Sequence, residues 1–212
     1  MLQKKILAAP SIKRLPRYLH IIKQAQMDGA EYISATTIAN ELHLVSIQVR
    51  KDLGITGIIG KPRKGYPILP LIESIERFLN WDTEKKAIIV GAGNLATALT
   101  GYPEFFNHGL KFVAAFDTDT KKIGKNIHGV PVLSIKQLSE KVSELNATIA
   151  VLTVPSKVAQ ECANIITKSG IKAIWNFTNI KIKLPADVVS QFEDLTSGYA
   201  MLSVKMDSIH ND

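Results

Sequence analysis

A short segment, Val90-Gly91-Ala92-Gly93-Asn94-Leu95-Ala96, has the residue types and spacing of a phosphate-binding turn. It follows the pattern G-x-G-x-x-A and comes directly after an apolar run that predicts a buried strand. Gly91 permits a tight turn, Gly93 lets the backbone approach a pyrophosphate, and Ala96 lets the next helix pack close to the strand. The helix predicted to begin near Asn94 points its free N–H groups at the phosphates. The segment therefore predicts a dinucleotide-binding βαβ unit.

A carboxylate at the end of the next predicted strand supports this interpretation. A helix is predicted at 94–101 and a strand at 111–116, which ends in Asp117. Asp117 follows Gly91 by 26 residues, near the spacing of about 20 expected for the acid that binds the ribose. Such a carboxylate accepts hydrogen bonds from the ribose hydroxyls and repels a 2′-phosphate, which favours NAD over NADP. The alternative is a glycine turn that binds nothing, or binds another nucleotide.

Two further predicted strands end where a cofactor of such a domain is expected. The strand at 148–153 is apolar enough to be buried on both faces and leads into Thr153-Val154-Pro155. The strand at 171–177 leads into Asn176-Phe177-Thr178. Ligands of parallel sheets lie at the carboxyl ends of the strands. We therefore expect the first segment to contact the cofactor and the second to face a nicotinamide.

The residues ahead of this unit predict a helix-turn-helix. A first helix is predicted at 16–27 with Pro16 at its first position, and Ser34 is expected to cap a second helix. Ser46 is expected to cap a third helix at 47–53. Two short helices joined by about four residues are typical of this motif. The residues expected to reach bases or phosphates from the recognition helix are Ser46, Gln48, Arg50 and Lys51.

A glycine-rich segment at 57–66 follows, with three basic residues around a proline. It predicts a β-wing whose Lys61, Arg63 and Lys64 lie along a phosphate backbone or in a minor groove. The alternative is a glycine-rich loop with solvated lysines. A helix is predicted at 68–79, and the boundary between the two domains is expected near residues 80–83.

The net charge of +7 is concentrated in the first part of the chain. Residues 1–80 contain 12 Lys and Arg against 6 Asp and Glu, whereas residues 81–212 contain 14 against 13. A basic domain attached to a near-neutral nucleotide domain indicates a polyanionic partner such as DNA for the first part.

The composition of 46% hydrophobic and 21% charged residues indicates a soluble globular protein. No apolar run approaches the 18 or so residues of a membrane span, and the amino terminus does not resemble a signal peptide. One cysteine, Cys162, fits a reducing cytoplasm and is expected to be buried helix filler, and the scattered histidines predict no metal site. No catalytic constellation is visible, so we predict that the chain is not an enzyme.

Over nearly its whole length the sequence resembles the Rex family of redox-sensing transcriptional repressors. The matching segments in the first domain are 12–18, 48–53 and the wing residues Gly57, Gly60, Lys61, Gly65 and Tyr66. The matching segments in the second domain are 90–95, 102–103, 113–117, 122–124, 129–132, 152–155, 170–172, 176–177 and 194–195.

The resemblance implies an α/β protein with a winged-helix domain at 1–80, a Rossmann-type parallel-sheet domain at 81–192 and a carboxy-terminal helix at 193–212 that is exchanged within a homodimer. It implies a repressor that binds a palindromic double-stranded DNA operator and is released when NADH binds in competition with NAD⁺. The expected cofactor-binding residues are Gly91, Ala92, Gly93, Asn94, Leu95, Ala96, Asp117, Thr118, Lys122, Thr153, Val154, Pro155, Asn176, Phe177 and Thr178. The expected DNA-binding residues are Arg14, Ser46, Gln48, Arg50, Lys51, Lys61, Arg63 and Lys64. Two alternatives remain, namely a DNA-binding protein that senses another nucleotide such as CoA, and a small NAD-dependent reductase.

Overall fold

The computed structural model describes residues 9–209, with side-chain surroundings up to residue 207. The first eight residues of the predicted DNA-binding domain and the predicted tail at 210–212, with His210, lie outside this range. The chain forms two compact units that divide between Thr83 and Glu84. Each unit has its own hydrophobic core.

The first unit contains four helices and a two-stranded sheet within the described residues. Its elements are α1 (Ala9–Met27), β1 (Tyr32–Ile33), α2 (Ala35–Glu41), α3 (Ser46–Gly54), β2 (Tyr66–Pro67) and α4 (Ile68–Phe78). Leu15, Ile38, Leu53 and Leu71 are fully buried and contribute to one core. The helical spacing of these apolar residues explains why the four helices pack around a single centre.

The first helix begins seven residues earlier than the sequence predicted. It starts at Ala9, so Pro16 lies inside the helix and not at its first position. The prediction failed because it took Pro16 for the start of the helix. The helical turns before Pro16 also make contacts with the rest of the unit. Leu15 is fully buried, and Ser11 and Arg14 both hydrogen-bond to Asp52 of α3.

The helix-turn-helix is confirmed, with one correction to its caps. The hydroxyl of Ser34 accepts a hydrogen bond from the Thr37 N–H at 3.0 Å and caps α2, as predicted. Ser46 does not cap α3. The cap position is held by Val45, without a side-chain hydrogen bond, and Ser46 is the first helical residue.

The segment after α3 closes into a tight turn. An isolated bridge joins Lys61 to Gly65, and β2 then pairs antiparallel with β1 so that Ile33 faces Tyr66. Gly65 has a φ of +90°, and a Cβ at this position would lie 2.4 Å from the carbonyl oxygen of Ile33. Only glycine fits this close backbone approach, which fixes the base of the predicted wing against β1.

The second unit is a seven-stranded sheet in the described part of the chain. Its strands are β3 (Lys85–Val90), β4 (Leu110–Asp117), β5 (Asn126–Ile127), β6 (Val130–Ser134), β7 (Ile149–Leu152), β8 (Ala173–Asn176) and β9 (Val189–Phe192). Their order is β5-β6-β4-β3-β7-β8-β9, and all pairs except β5 with β6 are parallel. Without the short β5, this is the strand order of a Rossmann fold.

Helices cover both faces of the sheet. They are α5 (Asn94–Thr100), α6 (Pro103–Asn107), a 3-10 turn (Ile135–Gln137) leading into α7 (Leu138–Leu145), and α8 (Ser156–Lys168), whereas α9 (Thr196–Ile209) follows β9. The apolar residues of one face include Ile88, Phe116 and Ile166, and those of the other include Ile89 and Ala96. The central strands are therefore buried on both faces, as their apolar runs predicted. The sequence did not predict α6, β5 or β9.

The last helix, α9, differs from the others because its side chains are exposed in the single chain. Tyr199, Met201, Leu202 and Val204 of this helix are each more than half exposed. Apolar side chains grouped on one exposed helix are typical of a surface that contacts another protein.

Candidate functional site

The glycine-rich turn lies at the end of β3, between β4 and β7. From β3 the chain continues to β4 on one side of the sheet and later returns to β7 on the other side, so the turn lies where the strand order reverses. Gly91 has a φ of +99°, and a Cβ there would lie 2.9 Å from the carbonyl oxygen of Thr153. Gly93 has no atom within 4 Å of the position of a Cβ. Gly91 is thus required by the fold, whereas Gly93 leaves space in front of its backbone.

The side chain of Thr153 holds this turn from the neighbouring strand. Its hydroxyl lies 2.8 Å from the Gly91 carbonyl oxygen and 3.1 Å from that of Val90, and its N–H donates to Val90. The end of β7 is therefore tied directly to the turn.

Asp117, at the end of β4, is bonded to the same turn. Its Oδ2 accepts a hydrogen bond from the Ala92 N–H at 2.8 Å and from Lys122 Nζ at 3.0 Å, and its Oδ1 accepts from the Asp119 N–H at 2.9 Å. Burial alone would raise the pKa of Asp117, but the hydrogen bonds from Asp119, Lys122 and Ala92 outweigh burial and lower it. Asp117 is therefore a fixed anion beside the glycine turn.

A cavity of about 690 Å³ opens beside the turn and Asp117. Eight of the predicted cofactor-binding residues line it: Gly91, Gly93, Asp117, Thr118, Lys122, Thr153, Val154 and Pro155. The structure thus brings together residues from the ends of β3, β4 and β7. A cavity of this size with an apolar wall and a few polar groups at its mouth is typical of a cofactor site.

The other residues of the predicted phosphate turn are placed differently. Ala92 and Ala96 are buried, and Ala96 is fully enclosed between the helix and the sheet. Asn94 is exposed and Leu95 is half-buried. Ala96 therefore has the packing role that the sequence predicted for it.

The predicted cofactor-binding residues Asn176, Phe177 and Thr178 do not line the cavity. The Asn176 Oδ1 accepts hydrogen bonds from the N–H and the hydroxyl of Thr178, and its Nδ2 donates to the Ile180 carbonyl oxygen. Both side chains are buried, and these bonds fix the loop after β8. The ring of Phe177 packs at 4.9 Å from that of Trp175. The side chains of Asn176 and Thr178 therefore stabilise the conformation of the loop after β8.

One wall of the cavity comes from residues that the sequence analysis did not select. They are Val158, Glu161, Cys162 and Ile165 of α8, together with Ile135. The four helical positions repeat at intervals of three and four, which places them on one face. That periodicity after Pro155 was the available signal. Cys162, expected to be buried filler, is partly exposed at this wall, and burial raises the pKa of its thiol.

In the first unit, two predicted DNA contacts are bonded to a buried carboxylate. Asp52 of α3 is fully buried and accepts hydrogen bonds from Arg14 Nε at 2.6 Å and Arg14 Nη2 at 2.9 Å. It also accepts from Gln48 Nε2 at 2.9 Å, Tyr18 OH at 2.6 Å and Ser11 Oγ at 2.7 Å. The structure therefore gives Arg14 and Gln48 an internal partner, which the sequence analysis did not foresee.

This cluster joins α1 to the recognition helix. Burial would raise the pKa of Asp52, but the hydrogen bonds from Arg14, Tyr18, Ser11 and Gln48 keep it well below its usual value. The pKa of Arg14 is raised by its bond to Asp52. Burial and the bond to Asp52 raise the pKa of Tyr18 to about 12. The cluster is charged at neutral pH and holds α3 at a fixed position.

The remaining predicted DNA contacts are accessible. Arg50 and Lys51 of α3 are exposed, and Ser46 is partly exposed at its start. Val45 and Ile47, which the sequence analysis did not select, are 71% and 62% exposed at the same end of the helix. Exposed aliphatic side chains beside basic ones suit contact with thymine methyl groups in a major groove.

Lys61, Arg63 and Lys64 are all exposed on the turn closed by the Lys61–Gly65 bridge. Arg63 has a φ of +61°, which is uncommon for a residue other than glycine. This conformation allows the chain to turn within the five residues from Lys61 to Gly65. The described part of the chain places all three basic side chains on one short loop.

Among residues 9–209, no group of three or more His, Cys, Asp or Glu side chains is arranged to hold a metal ion. No helix in the same range combines the length and apolar character needed to cross a bilayer.

Two family models match the chain. The description "CoA binding domain" applies to residues 82–180, and "Putative DNA-binding protein N-terminus" applies to residues 7–54. The first falls on the sheet unit with the glycine turn, and the second falls on α1 to α3.

Individual relatives match over nearly the full length. A protein of Treponema denticola named redox-sensing transcriptional repressor Rex is 61% identical over 208 residues, covering 98% of this chain and 99% of that protein. A protein of the same name from Bacteroides thetaiotaomicron is 37% identical, covering 95% of this chain and 90% of that one.

Solved structures of RSP, a Rex-family repressor, have the same fold. The RSP complex with NAD⁺ and operator DNA superposes with a TM-score of 0.88 at 28% identity and covers 98% of this chain and 95% of that one. The RSP complex with NADH gives the same TM-score, and the match covers 98% of this chain and 97% of that one. Sequence identity and fold agree over both units, and they confirm that the chain belongs to the Rex family of redox-sensing transcriptional repressors.

Proposed function

We propose that this protein is a transcriptional repressor that binds a palindromic operator and leaves it when NADH binds to the sheet unit. The observation that carries the proposal is the position of Asp117. Its carboxylate lies 2.8 Å from the Ala92 amide of the glycine turn, at the opening of a 690 Å³ cavity. The same chain carries a helix-turn-helix with exposed basic residues. A nucleotide site and a DNA-binding unit in one chain are the parts of a ligand-controlled repressor.

The cavity fits NAD(H) in size and in the placement of its polar groups. Gly93 leaves the backbone open to a pyrophosphate, and the Ala92 amide, now bonded to Asp117, lies on the same turn. The Asp117 carboxylate is held to accept hydrogen bonds from the adenosine ribose. The apolar wall of Val158, Cys162 and Ile165 suits an adenine ring. Thr153 to Pro155, which line the same cavity, then lie toward the nicotinamide.

The control of DNA binding requires that NADH prefer the state that does not bind the operator. A preference of about 100-fold corresponds to about 2.7 kcal/mol of coupling free energy. Operator half-sites are accepted only when they lie about one helical turn apart or a multiple of it. A modest change in the separation of two α3 helices in a dimer is therefore enough to release the DNA.

A homodimer is part of this proposal because a palindromic operator presents two equal half-sites. The exposed Tyr199, Leu202 and Val204 of α9 supply an apolar surface for a second copy. Exchange of α9 between the two chains is our proposal for how that surface is covered. We also propose a cytoplasmic protein that carries out no reaction on NADH, and the repressor names of its relatives support this proposal.

A second candidate ligand is coenzyme A. The match of residues 82–180 to the CoA-binding domain model favours it, because CoA shares the ADP portion of NADH. The two ligands differ beyond the pyrophosphate, where CoA requires no nicotinamide pocket. Equilibrium titration of the purified protein with CoA and with NADH separates the two.

The test of the function is operator binding at fixed salt. An operator is selected from a random DNA library with the ligand-free protein, labelled, and titrated in the presence of NADH, NAD⁺ or CoA. Release at NADH concentrations at least tenfold below the NAD⁺ concentration that gives the same release supports a redox sensor. Release by CoA instead supports the second candidate. If no sequence is selected above background, the result contradicts the DNA-binding function.

A further inference from the structure

Tyr32 lies where the side chains of two wing lysines converge. Lys61 Nζ donates a hydrogen bond to the Tyr32 hydroxyl at 3.1 Å. Lys61 Nζ and Lys64 Nζ lie 5.4 Å and 5.7 Å from the centre of its ring. Attraction between a cation and an aromatic ring operates at about 6 Å or less. One half-buried phenol thus has two ammonium groups within 6 Å of the centre of its ring.

The position of this group is fixed by the backbone. Tyr32 belongs to β1 and pairs with Pro67 of β2, and Gly65 approaches the Ile33 carbonyl so closely that no side chain fits between them. The turn is closed by a hydrogen bond from the Lys61 N–H to the Gly65 carbonyl oxygen at 2.7 Å. Tyr32 and the two lysines therefore form a preformed arrangement.

The arrangement is positively charged and has no internal counter-ion in the described residues. The ion pairs found among residues 9–209 do not include Lys61 or Lys64. Holding two ammonium groups near one another costs electrostatic free energy, which an anion lying between them would offset. The Tyr32 oxygen accepts its bond from Lys61, so its own hydrogen is available to an acceptor.

We propose that Tyr32, Lys61 and Lys64 form a phosphate clamp that binds one backbone phosphodiester of duplex DNA. The two ammonium groups supply charge, and the Tyr32 hydroxyl donates a hydrogen bond to a phosphate oxygen. Such contacts fix the position of a protein on the duplex without recognising the base sequence. Tyr32 then contributes to DNA binding by the wing, although it belongs to β1 and not to the wing segment itself. This inference rests on the proposed DNA-binding function.

Substitutions of these residues have distinct expected effects on DNA affinity and its salt dependence. Tyr32→Phe keeps the ring and removes the hydroxyl, so we expect about tenfold weaker binding, the size of one hydrogen bond to a charged group. The slope of the logarithm of its DNA-binding constant against the logarithm of the salt concentration is expected to equal that of the original protein, because no charge is lost. Lys64→Gln is expected to reduce the slope by about one for each wing bound. Tyr102→Phe, an exposed tyrosine of the other unit, is the matched control with no expected change.

The deciding experiment uses the full chain and a series of duplexes that each carry one neutral methylphosphonate. At one backbone position, the methylphosphonate is expected to weaken the original protein about tenfold or more. It is expected to weaken Tyr32→Phe less, by only the part of this loss that belongs to Lys61 and Lys64. If Tyr32→Phe binds every duplex as the original protein does, the clamp is overturned and the proposed function is left intact. A chain that binds no duplex even at low salt overturns both. Urea unfolding of each variant shows whether a loss reflects folding.

Discussion

Arg14 of α1 and Asp52 of α3 form an ion pair in which two guanidinium nitrogens contact the two carboxylate oxygens at 2.6 Å and 2.9 Å. The carboxylate is fully buried, whereas the guanidinium retains 27% of its side-chain exposure. The pair therefore connects the interior of the first unit to the surface that we propose contacts DNA. Its energetic weight lies in the burial of Asp52, because an unpaired charge there is strongly unfavourable.

We expect Asp52→Asn to destabilise the first unit by about 3 kcal/mol, because an Asn side chain has one acceptor oxygen for the five hydrogen bonds that Asp52 accepts and leaves several donors unpaired. The free energy of unfolding is measured with urea by the fluorescence of Trp81, which packs against this core, in a Trp175→Phe background. The control is Asp82→Asn, an exposed carboxylate, with an expected change below about 0.5 kcal/mol. Equal stability of Asp52→Asn and the control would show that the buried pair contributes nothing.

The same cluster predicts opposite pH limits to stability. The folded pKa of Asp52 lies below the usual 3.8, so its contribution is present above pH 3.8 and is lost as the pH falls through the folded value. The folded pKa of Tyr18 is about 12 against an ordinary 10.0, so its contribution is present below pH 10 and is lost as the pH rises toward 12. Unfolding free energies measured across these two ranges are expected to be flatter in Asp52→Asn at the acid end and in Tyr18→Phe at the alkaline end. If the pH dependence of the unfolding free energy in these variants is parallel to that of the original protein, Asp52 and Tyr18 do not set the two limits.

The parts that sequence predicted correctly are those with local patterns. The glycine turn is a run of seven residues with fixed steric demands, and the strands beside it are continuous apolar runs. Asp52 could not be placed in this way, since its partner Arg14 lies 38 residues away and both belong to segments rich in charge. Strand β9 escaped prediction because its four residues are all exposed and show no apolar alternation. The internal bonds of Asn176 depend on a loop geometry that no periodicity encodes.

Gly91 and Gly93 are expected to respond differently to the same substitution. Gly91→Ala places a methyl group 2.9 Å from the Thr153 carbonyl oxygen at a φ of +99°, so we expect a loss of about 1–3 kcal/mol in stability. Gly93→Ala meets no atom within 4 Å, so the ligand-free protein stays stable while NADH binds at least tenfold more weakly. Urea unfolding and NADH titration measure the two effects. Unchanged NADH affinity in Gly93→Ala would mean that no pyrophosphate approaches this backbone.

Asp117→Ala tests whether ligand binding and DNA binding are separate. Removal of the carboxylate deletes the acceptor for the ribose and frees the Ala92 amide and Lys122, so we expect NADH to bind about 10- to 100-fold more weakly. NADPH is expected to gain relative to NADH, because Lys122 remains beside the position of a 2′-phosphate. Operator affinity without ligand should change by less than twofold, as in the control Asp187→Ala at an exposed ion pair. Equal loss of NADH and operator binding contradicts two separate sites.

Leu202→Glu tests the proposed dimer surface on α9. Leu202 is 57% exposed in the single chain, so a charge there costs little in the monomer but is unfavourable once a second copy covers the helix. We expect the variant to sediment as a monomer and to bind a palindromic operator at least 100-fold more weakly, because one α3 helix contacts only one half-site. NADH titration should still show binding, which distinguishes dissociation from unfolding. Lys168→Gln at the end of α8 changes the net charge by the same amount and is the control, and a dimeric Leu202→Glu would place the interface elsewhere.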